Sequence, residues 1–141
     1  MILLDTNVVS EPLKLTGDAG VLNWIDAQII ETLYLSTISL AELRFGIAAL
    51  APGNRRDTLH TGLEQRILPL FVGRILPFDA AAAEAYAVLR ARTRTQGKAI
   101  APADGYIAAT ATTHGLIVAT RDTGPFEAAG LTVINPWNTK H

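Results

Sequence analysis

Ile2-Leu3-Leu4-Asp5-Thr6-Asn7, near the start of this 141-residue chain, is the clearest indication of its fold. Three apolar residues that end at a carboxylate are typical of a short strand buried on both faces, as in a parallel sheet. Four more short apolar runs predict strands at 33–36, 74–78, 116–120 and 131–134. The run at 74–78 contains Pro77, which cannot donate a ladder hydrogen bond, so we expect this strand at an edge of the sheet.

Helical patterns fill the gaps between these runs. The predicted helices cover 19–29, 39–50 with Ser39 as a capping residue, 54–70, 80–95 after the cap Asp79, and 102–114 before Gly115. Short strands that alternate with helices indicate a parallel sheet covered on both faces. The sequence therefore predicts a single α/β domain over residues 1–141, a three-layer α/β/α sandwich with a central, mostly parallel sheet of about five strands.

Composition excludes several classes of protein. Apolar residues make up 49% of the chain, which argues against disorder, and the absence of cysteine excludes disulfides and thiolate metal sites. A net charge of −1 gives no general basic surface for nucleic acid. The N-terminus lacks the basic leader of a signal peptide, and no apolar run reaches the roughly 20 residues of a membrane span. We therefore expect a cytoplasmic protein with no membrane association.

Four acidic residues are predicted to meet at one edge of the sheet. Asp5 ends the first strand, and Asp122 follows the fourth. Glu42 lies in the predicted first turn of the helix after the second strand, and Asp104 in the first turn of the helix before the fourth. Ligands of such sheets bind outside the carboxyl ends of the strands, which is where all four side chains should lie.

Carboxylates gathered in this way repel one another. Two charges about 4 Å apart repel by about 1 kcal/mol in water and about 4 kcal/mol at an effective dielectric near 20. Mg²⁺ or Mn²⁺ removes the penalty, because both ions prefer oxygen ligands, and can activate water against a phosphodiester. Thr6, Asn7 and Thr120 are candidates to hydrogen-bond a carboxylate, a metal-bound water or a phosphate.

Each acid also has a purely structural interpretation. Asp5 is suited to cap the helix that follows it, and Asp122 to stabilise a turn. Glu42 and Asp104 would be favourable charges near helix starts. Their predicted convergence on one edge is what favours a functional site over four separate structural roles.

Four segments of the chain resemble the PIN-domain family, specifically its VapC and FitB-like toxins of bacterial type II toxin–antitoxin systems. The segments are the opening 2–8 (ILLDTNV), 39–46 (SLAELRFG), 103–109 (ADGYIAA) and 118–126 (VATRDTGPF). They come in the family's order and span nearly the whole chain, which makes the combination far more specific than any one segment.

The resemblance implies a Mg²⁺- or Mn²⁺-dependent endoribonuclease with Asp5, Glu42, Asp104 and Asp122 as its catalytic, metal-binding residues. Asp5 and Asp104 are the expected direct ligands. Glu42 would bind through water or a second metal, and Asp122 would be either a ligand or the holder of an ordered water. The resemblance also implies an RNA substrate, a cognate DNA-binding antitoxin that blocks the site, and self-association into dimers within a larger toxin–antitoxin assembly.

Other functions fit the sequence less well. Haloacid-dehalogenase-like phosphatases need a second aspartate where this chain has Asn7, and Lys14, Lys98 and Lys140 are poorly placed for a receiver domain. The remaining alternative is a non-catalytic regulatory partner in a DNA-binding toxin–antitoxin complex.

Other residues that could carry a function are weaker candidates. The three histidines, His60, His114 and His141, are too scattered for a metal triad. The cluster Arg90, Arg92, Arg94 and Lys98 either guides RNA or balances a helix C-terminus, and the second role is favoured.

Overall fold

The computed structural model describes residues 1–138, so His141 and the rest of 139–141 lie outside the described part. The strands are β1 (Ile2–Leu4), β2 (Leu33–Ser36), β3 (Ile75–Leu76), β4 (Ile117–Ala119) and β5 (Val133–Ile134). They form one sheet in the order β3-β2-β1-β4-β5. All four pairings are parallel, so the predicted parallel sheet of about five strands is confirmed.

The strand pairing places β1 at the centre of the sheet and β3 at an edge, as its proline predicted. Leu4 pairs with Ala119, and Ser36 pairs with Leu76, so the carboxyl ends of the strands lie level. The outer strands are shorter than predicted. Pro77 stops β3 after two residues because it has no N–H to offer the ladder.

Seven α-helices are present in residues 1–138. They are α1 (Thr6–Val9), α2 (Ala19–Asp26), α3 (Thr37–Ala48), α4 (Asn54–Thr61), α5 (Ala80–Thr95), α6 (Pro102–His114) and α7 (Thr123–Ala128). The boundaries of α5 and α6 are those predicted. Gly115 ends α6 in the left-handed conformation, with a φ of 64° that glycine adopts without strain.

Three helical predictions are wrong in detail. The helix predicted over 19–29 ends at Asp26, and the one predicted over 39–50 covers Thr37–Ala48 instead. The single helix predicted over 54–70 ends at Thr61. A π-helical segment (Gly62–Ile67) and a 3-10 turn (Leu68–Phe71) follow it, because the proline in that turn cannot continue an α-helical ladder.

Two apolar cores lie on opposite faces of the sheet, which confirms the three-layer sandwich. Ile2 and Leu4 point into the core formed with α1 to α4, where Val8, Val21 and Leu63 are buried. The alternate residue Leu3 points into the second core, which α5, α6 and α7 complete. Alternation along a strand buried on both faces produces this division. No helix within residues 1–138 is long and apolar enough to cross a membrane.

Gly105 permits a close approach of α5 to the part of α6 that carries Asp104. A Cβ at position 105 would lie 2.9 Å from Cε2 of Tyr86 and 3.4 Å from Cδ of Arg90. Tyr86 also stacks on Tyr106, with ring centroids 4.7 Å apart. The start of α6 is therefore fixed by packing against α5.

The second core gives a direct test on two neighbouring residues of α5. Leu89 is 3% exposed, whereas Val88 is 61% exposed. Leu89→Ala should lower the free energy of unfolding by about 2–5 kcal/mol, through lost burial and the cavity it leaves. Val88→Ala should change it by less than about 0.5 kcal/mol. Urea unfolding measures both, and equal losses would contradict the assigned orientation of α5.

Candidate metal centre

Asp5 is the most constrained member of the predicted acidic group. It follows β1 and is 5% exposed. Its Oδ1 accepts a hydrogen bond from the backbone N of Thr6 at 2.8 Å, which caps α1. Its Oδ2 accepts from the Thr120 hydroxyl at 2.7 Å. The predicted capping role of Asp5 is therefore present, but only one of its two oxygens serves it.

The surroundings of Asp5 disfavour its charge. Burial raises the pKa of Asp5 from 3.8 to about 6, and the charges of Asp104 and Glu42 contribute in the same direction. The hydrogen bonds from Thr120 and Thr6 oppose the shift without cancelling it. A buried carboxylate with acidic neighbours and a raised pKa is typical of a functional site.

Asp104 lies in the first turn of α6, as predicted. Its side chain is partly buried, and this burial raises its pKa above the ordinary value. The charges of Asp122 and Glu42 raise it further. Asp104 thus interacts electrostatically with the other three acids, since it also raises the pKa of Asp5.

Glu42 lies in the second turn of α3, so its predicted place in the first turn is wrong. The hydroxyl of Ser36, at the end of β2, accepts from the backbone N of Ser39 and begins the helix at Thr37. Ser39 is therefore an interior helical residue, not the predicted cap. Glu42 is exposed, and its Oε1 accepts from the Thr6 hydroxyl at 2.6 Å.

Thr6 belongs to a chain of hydroxyl groups that connects Glu42 to the sheet. Because the Thr6 hydroxyl gives its single hydrogen to Glu42, its 3.0 Å contact with Ser39 Oγ is one in which Ser39 donates. The Ser39 and Ser36 hydroxyl oxygens are 3.3 Å apart, and both residues are fully buried. The rotamer of Thr6, and with it the position of the Glu42 carboxylate, is thereby fixed.

Thr120 connects Asp5 to Asp122. It is fully buried, and its hydroxyl donates to Asp5 while accepting from the backbone N of Asp122 at 3.0 Å. Asp122 precedes α7, a short helix where only a turn was predicted, but its side chain makes no capping hydrogen bond. The carboxylate of Asp122 is exposed and is not used by the turn.

Asn7 connects the segments that follow β1 and β4. Its Oδ1 accepts a hydrogen bond from the backbone N of Arg121 at 3.3 Å. Together with the Thr120–Asp5 bond, this contact fixes the position of the loop that carries Asp122 relative to Asp5. The side chain of Asn7 therefore supports the site by holding the backbone of Arg121, and this hydrogen bond involves none of the four carboxylates.

The donor set fits a hard divalent cation. The set consists of carboxylate oxygens, the ligands that such ions prefer. Burial and mutual repulsion disfavour the charges of Asp5 and Asp104 and so raise their pKa values, and a bound cation would relieve this cost. Within residues 1–138, no three acidic or histidine side chains are close enough together to hold an ion as they stand. The four acids thus affect one another electrostatically without forming a ready-made ion site.

One buried acid escaped the sequence analysis. Glu11 is 3% exposed and accepts from Lys14 Nζ at 2.6 Å and from the backbone N of Asp18 at 2.8 Å. Burial alone would raise its pKa, but these hydrogen bonds hold the pKa below its ordinary value. The three-residue spacing to Lys14 was the available signal. Glu11 is satisfied within the protein and has a structural role.

The basic cluster at the end of α5 is largely used within the fold. Arg92 donates to the backbone oxygen of Ala129 at 2.6 Å, and Arg90 donates to the hydroxyl of Tyr86 at 2.6 Å. Arg92 and Arg94 lie in the last turn of α5, where positive charge is favourable. These contacts agree with the favoured structural interpretation of Arg90 and Arg92.

Comparison with known proteins shows to which family the chain belongs. A model of the PIN domain matches residues 2–131. VapC ribonuclease Y4jK of Sinorhizobium fredii (strain NBRC 101917 / NGR234) is 61% identical over 137 residues, which cover 97% of this chain and 98% of that protein. Toxin FitB of Neisseria gonorrhoeae (strain ATCC 700825 / FA 1090) is 58% identical over 138 residues, 98% of this chain and 99% of that protein.

A solved structure shares the whole architecture. The structure of FitAB bound to an IR36 DNA fragment superposes with a TM-score of 0.95 at 55% identity, covering all of this chain and 99% of that one. The family match, the sequence identity and the fold agree over nearly the full length. The chain therefore belongs to the PIN-domain family, in the group that includes VapC ribonuclease Y4jK and toxin FitB.

Proposed function

We propose that this protein is the toxin of a toxin–antitoxin pair and acts as an endoribonuclease that uses Mg²⁺ or Mn²⁺. The observation that carries the proposal is the buried Asp5 carboxylate at the end of the central strand, which Thr6 links to Glu42 and Thr120 links to the backbone of Asp122. The raised pKa values of Asp5 and Asp104 agree with it. The similarity to proteins named VapC ribonuclease and toxin FitB supports the substrate class and the biological role.

The four acids would share the work of holding the cation. Asp5 and Asp104 would be direct ligands, because each is partly or fully buried and so loses most by remaining an unpaired anion. Glu42 and Asp122 are exposed and would bind directly or through ordered water. When bound, a divalent cation polarises a phosphodiester and lowers the pKa of a water molecule for in-line attack.

Three polar side chains would keep these acids in position. Thr120 orients Asp5 and the backbone before Asp122, Thr6 orients Glu42, and Asn7 fixes the loop after β4. Groups that orient ligands in this way affect metal affinity and activity although they do not touch the ion. The carboxylates of Asp5 and Glu42 would thus be held in place before a cation binds.

The proposed partners are an RNA substrate, a DNA-binding antitoxin that blocks the site, and a second copy of the chain in a dimer. The close structural match to FitAB bound to DNA supports the antitoxin assembly. The same match supports a second candidate function, in which the chain is a non-catalytic regulatory partner of a DNA-bound complex. The two candidates differ in whether the isolated chain cleaves RNA.

Cleavage of RNA should require both the metal and Asp104. The purified chain should cut RNA with Mg²⁺ or Mn²⁺ and stop when EDTA is added. Asp104→Asn should reduce the rate by at least about a hundredfold, because a metal ligand is lost. Its circular dichroism spectrum should be unchanged, because the substitution removes a charge repulsion and leaves the fold intact. Asp26→Asn, at an exposed acid far from the site in sequence, is the control. A wild-type chain that leaves RNA intact would favour the regulatory candidate.

The raised pKa of Asp5 predicts how the stability of the metal-free protein depends on pH. The folded state binds the Asp5 proton more tightly than the unfolded state does. The contribution of this proton to the free energy of unfolding is therefore complete below pH 3.8 and is lost as pH rises through about 6. With one pKa unit worth about 1.4 kcal/mol, Asp5→Asn should be more stable than wild type by up to about 3 kcal/mol at pH 8.

Urea unfolding in EDTA at pH 4.5 and pH 8 measures this effect. Asp26→Asn is again the control, because no burial accompanies its charge. The difference between wild type and Asp5→Asn should be larger at pH 8 than at pH 4.5. A difference that does not change with pH would contradict the proposed burial of an ionised Asp5.

The hydroxyl of Thr6 should matter to catalysis through Glu42. Thr6→Val keeps the shape but loses the 2.6 Å hydrogen bond, and it should lower the cleavage rate by about tenfold and raise the Mn²⁺ concentration for half-maximal activity. Thr6→Ser keeps the hydroxyl and should restore the rate to within about threefold. If both variants behave like wild type, Thr6 does not position Glu42.

A further inference from the structure

Arg121 occupies a distinctive place beside the carboxylates. It is an exposed residue that follows β4, between Thr120 and Asp122. Its backbone N donates to Oδ1 of Asn7, which fixes the main chain at this point. Its guanidinium carbon lies over the ring of Trp137, 5.1 Å from the centroid. Both ends of the residue are therefore held, although the side chain is on the surface.

Trp137 is itself anchored in the fold. It is partly buried and packs against the core between the sheet and α1 to α4. Its backbone N donates to Oδ1 of Asn135 at 3.0 Å. The backbone N of Thr120 donates to the oxygen of Ile134 at 2.9 Å, so the segments after β4 and β5 leave the sheet side by side. The aromatic ring is thus a fixed support for the arginine.

The charge of Arg121 is not neutralised by a described residue. Within residues 1–138, Lys14 and Arg44 make ion pairs with acids, whereas Arg121 makes none despite its acidic neighbours. A guanidinium that rests on an aromatic face keeps its in-plane N–H groups available for a bidentate anion such as a phosphate. Arg90 also lies over an aromatic ring, that of Tyr86, but its Nη1 donates to the hydroxyl of the same residue, and Arg92 donates to the backbone oxygen of Ala129.

We propose that Arg121, held on Trp137, binds a backbone phosphate of the RNA beside the four carboxylates. This inference rests on the proposed ribonuclease function. The chain has a net charge of −1, and its acidic site would repel a polyanion, so a positive side chain at the edge of that site would help to bring the substrate close. Support by Trp137 lowers the entropy lost when the arginine is immobilised on a phosphate.

The test is the salt dependence of RNA cleavage. For wild type, Arg121→Ala, Arg121→Lys and Arg55→Ala, kcat and KM are measured on one RNA oligonucleotide with Mn²⁺ over a range of salt concentrations. Arg55 is an exposed arginine of α4, a helix that carries none of the four acids, and its substitution makes the same charge change. Melting temperatures show whether each variant is folded.

Arg121→Ala should lower kcat/KM by about tenfold near 0.1 M salt, mainly through KM, as expected for one lost charge-assisted contact. The slope of log(kcat/KM) against log[salt] should become shallower by about 0.7, the value for one phosphate of a single strand. Arg121→Lys should keep the wild-type slope. Trp137→Ala should weaken cleavage in the wild type, but have no further effect when Arg121 is already alanine.

The outcomes separate this inference from the proposed function. A wild-type chain that does not cleave RNA contradicts the proposed function itself. Equal effects of Arg121→Ala and Arg55→Ala would mean that only general charge matters, and would overturn the assignment of Arg121. Normal cleavage by Arg121→Ala together with weaker inhibition by an antitoxin would overturn it too, because Arg121 would then serve a protein partner instead of RNA.

Discussion

Burial of the Asp5 carboxylate is the constraint on which the site depends. Folding leaves the residue 5% exposed at the end of the central strand, with Thr6 and Thr120 as its hydrogen-bond donors. These bonds do not offset the loss of water, since the pKa rises to about 6. Carboxylates that only cap helices are normally left exposed, where they retain their hydration. This unfavourable charge is what the cation proposed above would relieve.

The topology of the sheet gathers the other groups around Asp5. Because β1 has β2 on one side and β4 on the other, the three segments that follow these strands begin next to one another. The contacts that shape the site join these segments: Thr6 with Glu42, Thr120 with Asp5, and Asn7 with Arg121. Asp104 arrives separately on α6, which the close approach of Tyr86 to Gly105 fixes in place. Each acid is thus held by a different strand or helix.

The sequence-based reasoning placed the acids by the order and direction of strands and helices. The structure puts Asp5 after β1, Asp104 in the first turn of α6 and Asp122 after β4, as this reasoning expects. The reasoning failed for the start of α3, because Ser36 and Ser39 are both good capping residues. In the structure Ser36 is the cap, because β2 ends there and the Ser36 hydroxyl accepts a hydrogen bond from the backbone N of Ser39.

Local patterns in the sequence were enough to predict the parallel sandwich and to select four acids at one edge of its sheet, because apolar runs and helical spacing reflect local geometry. They also placed Thr6, Asn7 and Thr120 near those acids. Tertiary structure alone decided what each of them touches, such as the 2.6 Å bond from Thr6 to Glu42 across 36 residues of sequence. It alone brought Trp137 beneath Arg121 and buried Asp5 deeply enough to shift its pKa. Contacts and desolvation depend on how distant segments pack, which no local pattern records.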